Sequence, residues 1–100
     1  MLEDLYGKDR FTKAIELMKA GEAVIVDVRT PDEFVCGHVP GALNLPVEKL
    51  ATSDIDYDVP ILVYCMSGAR SERAMVFLKE QNFVSENIGG IIDYEGEFEV

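Results

Sequence analysis

The chain has 100 residues, enough for one small domain with a modest core, and hydrophobic residues make up 48% of it. Its formal net charge of -10 argues against nucleic acid and anionic membranes as partners, since both repel an acidic surface. No stretch approaches the roughly 18 consecutive apolar residues that a membrane-spanning helix needs.

Met1-Leu2-Glu3-Asp4-Leu5 has neither a basic start nor an apolar run, so no secretory signal is expected and the cytoplasm is the default location. Cys36 and Cys65 are the two cysteines, and one histidine, His38, accompanies them. In a reducing compartment two free thiols are expected. With no Cys/His cluster, neither a structural zinc site nor any other metal or cofactor is expected.

Residues 1–10 are polar and mixed, as in a loose arm. Thr12 is placed as the cap of a helix over Lys13 to Lys19, with Ala14, Ile15 and Met18 inward and Gly21 as its stop. Ala23 to Val28 is an apolar, β-branched run without alternation, the pattern of a strand buried on both faces. Thr30-Pro31-Asp32-Glu33-Phe34 reads as a short helix, capped by Thr30 with Pro31 at its first position. Residues 37–42 form a loop, Leu43-Asn44-Leu45 a short strand, and Val47 to Leu50 a helical turn. Residues 51–58 make an acidic surface loop, after which Pro60 opens a third strand. A helix follows from Ser71 to Gln81, its buried stripe Ala74, Met75, Phe77 and Leu78, with Asn82 as a left-handed stop. Val84 to Ile88 is a fourth strand, Gly89-Gly90 a turn, Ile91 to Tyr94 a last helical turn, and Glu95 to Val100 a frayed end. Strands alternating with helices predict an α/β fold: a mostly parallel sheet of four to five strands with helices on both faces.

Chemistry concentrates at Cys65-Met66-Ser67-Gly68-Ala69-Arg70-Ser71, between an apolar strand and a helix. A buried apolar cysteine is the plain alternative at a strand end. The flanking residues favour a reactive one. A helix N-terminus stabilises an anion, and backbone N–H groups around Ser67 and Gly68 can turn inward to form a nest. Ser71 can cap the helix or donate to a bound anion, and Arg70 supplies a cation across the loop. His38 is expected to hold a loop by hydrogen bonding rather than to act as acid or base.

Three ordered motifs now resemble one family. Asp27-Val28-Arg29, Glu33-Phe34 and Gly37 through Pro46 are similar to the framing signature of rhodaneses, which are sulfurtransferases. Cys65 through Ser71 resembles their active-site loop, and Asn87-Ile88-Gly89-Gly90-Ile91 their closing motif. The resemblance implies a rhodanese domain over residues 1–100, with its core at about 12–94. It implies that Cys65 takes a sulfane sulfur from thiosulfate or a similar donor and passes it, as a persulfide, to a thiol or cyanide. Met66 to Ser71 would hold the persulfide and donor. Asp27, Arg29 and Glu33 would brace the loops through ion pairs, Arg29 with Glu33 by their four-residue spacing. A monomer is expected, with a small sulfur-containing anion or thiol as substrate and a protein sulfur donor or acceptor as a further partner. The alternative role is a relay module that carries persulfide sulfur between proteins without free thiosulfate.

The loop length separates a third reading. Four residues lie between Cys65 and Arg70. Cysteine-dependent phosphatases use one residue more, so sulfur chemistry is favoured over phosphoryl chemistry. Met66 stands where many thiosulfate-using relatives carry a basic residue. Tyr94 stands in place of a common tryptophan, and Cys36 lies outside the family pattern.

Overall fold

The computed structural model describes Leu5 and residues 9–100. The loose arm expected at the N-terminus otherwise lies outside those residues. No described helix is long and apolar enough to cross a membrane.

Four parallel strands form one sheet: β1 (Val24–Asp27), β2 (Leu43–Asn44), β3 (Ile61–Cys65) and β4 (Ser85–Gly90). Their order across the sheet is β2-β1-β3-β4. Helix α1 (Arg10–Lys19) covers one face, α3 (Ala69–Glu80) the other, and the short α2 (Pro31–Val35) follows β1. This is the predicted α/β arrangement with four strands.

The two-residue period of a strand divides the core. Ile25, Leu62, Tyr64 and Ile88 pack with Phe11, Ala14 and Leu17 of α1. Val26, Val28, Ile61, Val63 and Cys65 pack with Ala74 and Leu78 of α3. Every residue of β3 is buried, as a central strand between two helical layers requires. Alternation therefore puts Cys65 on the α3 face, at the C-terminal end of the sheet.

The helix boundaries differ from expectation in instructive ways. α1 starts at Arg10, so Thr12 is its third residue and not its cap. The earlier start brings Phe11 against Tyr64 and Tyr94, with ring centroids 5.5 and 5.3 Å away. The inner face is Phe11, Ala14 and Leu17, while Ile15 and Met18 pack at its margin. At the other end Gly21 takes φ +75°, donates to the Met18 carbonyl, and lets Glu22 donate to Leu17, a Schellman stop.

Gly89 and Gly90 do not form a turn. They continue β4, where the register slips opposite Val63 and Tyr64. Gly89 takes up the bulge at φ +110° and Gly90 pairs with Cys65. Nor is the C-terminus frayed. His38 and Glu99 exchange backbone hydrogen bonds of 2.9 and 2.8 Å in an antiparallel bridge, and the Phe98 ring packs on Tyr94 at 5.2 Å.

Candidate active site

Gly68, at φ +106°, turns the chain from the loop into α3, which begins at Ala69. Ser71 is thus inside the helix, in its first turn, and does not cap it. The capping position is filled by sulfur instead. Cys65 Sγ accepts the Gly68 N–H at 3.0 Å and the Ser71 N–H at 3.4 Å, with Ser71 Oγ also at 3.4 Å. A helix N-terminus leaves its first N–H groups without partners, and here two of them converge on a thiol.

Cys65 is 1% exposed. Burial alone pushes its thiol up, but the hydrogen bonds from Ser71, Gly68 and Arg70 outweigh it and hold the pKa below that of a free cysteine. Ser71 has one hydroxyl proton, and its nearest acceptor is Asn87 Oδ1 at 2.7 Å. The backbone N–H groups are therefore the firmer donors to sulfur.

Asn87 organises the loop from β4. Its Oδ1 also accepts the Gly89 N–H at 2.9 Å, and its Nδ2 donates to the Gly68 carbonyl and to Glu72, each at 3.1 Å. Gly90 lies directly under the loop. A methyl group there would fall 2.4 Å from the Met66 carbonyl oxygen and 2.5 Å from Ser67 Cα. Asn87 and Gly90 were legible only as members of a closing motif. Their task depends on β4 lying beside β3, which a local pattern does not express.

The bracing ion pairs are connected differently from expectation. Arg29 does not pair with Glu33. It donates from Nε and Nη2 to the Asp27 carboxylate, at 3.0 and 2.6 Å, and from Nη2 to the Gly37 carbonyl at 2.8 Å. Asp27 and Arg29 are both buried, and Asn44 ties their carbonyls to β2. Glu33 instead receives Arg70 in a two-pronged pair, Nη1 to Oε1 at 2.7 Å and Nη2 to Oε2 at 3.0 Å. Arg70, first of all, holds the Glu33 carboxyl down to about 2. Thr30 and Glu33 also form a reciprocal capping box on α2. His38 stacks on Phe34 at 3.6 Å, donates from Nδ1 to the Phe34 carbonyl at 2.9 Å, and meets Glu99 through Nε2 at 3.2 Å. Both its ring nitrogens are engaged elsewhere than at Cys65.

Cys36 is exposed and Cys65 buried, and both are free thiols. Among the described residues no group of His, Cys, Asp and Glu is arranged to hold a metal ion. Met66 is 38% exposed at the rim and carries no charge. Ala69 opens α3, and Ser67 packs over Gly90. A cleft of about 340 Å³ between α1 and residues 93–96 does not include Cys65.

The geometry is a buried, hydrogen-bonded thiol cradled by N–H groups, suited to a nucleophile that works as its anion. The family model of the Rhodanese-like domain matches residues 11–98. A sulfurtransferase from Allochromatium vinosum is 40% identical over 75 residues, covering 71% of this chain and 70% of its own. The thiosulfate sulfurtransferase GlpE of Pseudomonas putida is 36% identical over 90 residues, covering 88% and 77%. Among solved structures, a protein from Staphylococcus saprophyticus superposes with a TM-score of 0.77 at 26% identity, over 89% of this chain and 94% of its own. A rhodanese with anions from E. coli gives 0.66 at 32% identity, over 77% and 96%. The chain belongs to the rhodanese-like domain family and is a rhodanese-type enzyme.

Proposed function

We infer that the enzyme transfers a sulfane sulfur through a persulfide on Cys65. The thiolate attacks the outer sulfur of thiosulfate or a similar donor. A bond forms between Sγ and that sulfur, the donor's sulfur–sulfur bond breaks, and its electron pair leaves with sulfite. An acceptor thiolate, or cyanide in an assay, then attacks the outer sulfur and returns Cys65 to its thiolate. The carrying observation is the convergence of the Gly68 and Ser71 N–H groups on Sγ. Fixed donors stabilise the thiolate before attack and the charge that develops on sulfur afterwards.

The free thiols suit a reducing compartment, taken here as the cytoplasm. The acidic charge suits a basic protein donor or acceptor, whereas a small anionic donor must be held by the local site against the overall field; the rhodanese unit acts as a monomer. Mass spectrometry after incubation with thiosulfate tests the proposal. Cys65 should gain one sulfur, added cyanide should remove it as thiocyanate, and Cys65→Ser should do neither. Thiocyanate formation by Cys65→Ser at the wild-type rate would refute it.

A further inference from the structure

A dianionic donor needs positive charge beyond what stabilises one thiolate. Arg70 is the cation of the loop, and its guanidinium is already matched by Glu33 along both of its prongs. Glu33 is in turn held by its own helix, since Oε1 accepts the Thr30 N–H at 3.0 Å and the Thr30 hydroxyl at 3.2 Å. The carboxylate is therefore preorganised on Arg70. Glu48 adds a second negative charge to the surroundings of Arg70. Met66 adds no charge, and its carbonyl accepts the Ile92 N–H at 3.3 Å. Both residues are apolar, 38% and 66% exposed, and that bond joins their backbones beside the loop.

We propose that Glu33 is a specificity-determining residue which, by neutralising Arg70, turns the Cys65 site away from thiosulfate and toward organic persulfides of low charge. This rests on the sulfur-transfer proposal above and names its donor class. The backbone N–H groups stabilise one negative charge on sulfur, whichever donor supplies it. The Gly68 and Ser71 N–H groups are aimed at Sγ and not at a second charge on a sulfonate. An organic persulfide, R–S–SH, brings at most one charge, and its carbon substituent can lie on Met66 and Ile92. Sγ bonds to the terminal sulfur, the donor's sulfur–sulfur bond breaks, and the electron pair leaves on the alkyl thiolate. The terminal sulfur keeps its proton or releases it to water.

The experiment follows single-turnover persulfide formation on Cys65 by quenched mass spectrometry, with thiosulfate and with 2-hydroxyethyl persulfide as donors. Wild type should react with the persulfide about tenfold or more faster, per unit concentration, than with thiosulfate. Glu33→Gln keeps an oxygen for the Thr30 N–H but removes the charge. It should lower the half-saturating concentration of thiosulfate about tenfold, the size expected for one partly exposed charge beside a dianion. The persulfide constant should move several times less. Thr30→Ala weakens the cap and leaves the charge, so it should give no gain with thiosulfate. An unchanged thiosulfate constant in Glu33→Gln, or the same gain in Thr30→Ala, overturns the assignment while leaving sulfur transfer intact. If Cys65 of wild type takes sulfur from neither donor, the sulfur-transfer proposal falls and this one with it.

Discussion

Gly90→Ala tests whether β4 sets the reactivity of a cysteine on the neighbouring strand. The added Cβ would meet the Met66 carbonyl oxygen at 2.4 Å, Ser67 Cα at 2.5 Å and Ser67 C at 2.7 Å. All three are backbone atoms, so no side chain can swing aside. Ordinary contact begins near 3.4 Å, and the loop must therefore retreat by about 1 Å. The Gly68 N–H now lies 3.0 Å from Sγ. Passed on to the adjoining Gly68, a retreat of that size stretches the bond to about 4 Å, where contact with sulfur is weak. A hydrogen bond to a charged group contributes about 1.5–3 kcal/mol, so the thiolate should bind its proton at least about tenfold more tightly. The assay is alkylation of Cys65 by iodoacetamide against pH, in a Cys36→Ser background because Cys36 is exposed. The midpoint should move up, and the rate on its acid side should fall about tenfold. Overpacking should also cost about 1–3 kcal/mol of stability. An unchanged alkylation profile and an unchanged melting temperature would refute the coupling of β4 to the loop.

Three further outcomes follow from the same contacts. Asp27→Asn leaves the buried Arg29 without its anion and should cost about 3–5 kcal/mol in urea unfolding; a cost under about 1 kcal/mol would contradict the pairing. The Glu33 carboxyl is depressed in the fold from 4.5 to about 2, so its pair with Arg70 stabilises above the unfolded value and the stability is lost as pH falls between those two values. With both side chains about a quarter exposed, the contribution is about 1 kcal/mol, and the difference between wild type and Glu33→Gln in acid titrations should vanish near pH 2. Ser71→Ala removes the 2.7 Å bond to Asn87 but leaves the backbone donors to sulfur; stability should fall by about 1 kcal/mol, and Cys65 alkylation should slow less than in Gly90→Ala.

Much of the scaffold was readable along the chain because its causes are local. Thr30-Pro31 starts α2 through a capping box with Glu33, all within four residues. Gly21 and Asn82 both take the left-handed conformation that ends their helices. The misplaced features have non-local causes. Thr12 looks like a cap until Phe11 is needed against Tyr64 and Tyr94, which draws α1 back to Arg10. Gly89-Gly90 looks like a turn until β4 must pass beneath the loop, where a side chain does not fit. Ser71 looks like a cap until the sulfur of Cys65 occupies that place.

The α/β alternation and the strand that delivers Cys65 were legible along the chain, since each depends on periodicity or spacing between near neighbours. Which charges meet depends on the three-dimensional fold. Arg29 turns back to Asp27, and Glu33 crosses to Arg70, 37 residues away. The four-residue spacing of Arg29 and Glu33 suits a helical pair, but Arg29 precedes α2 and Glu33 lies within it, so the two do not share a helical face. That long-range pairing, invisible in spacing, sets the charge of the site around Cys65.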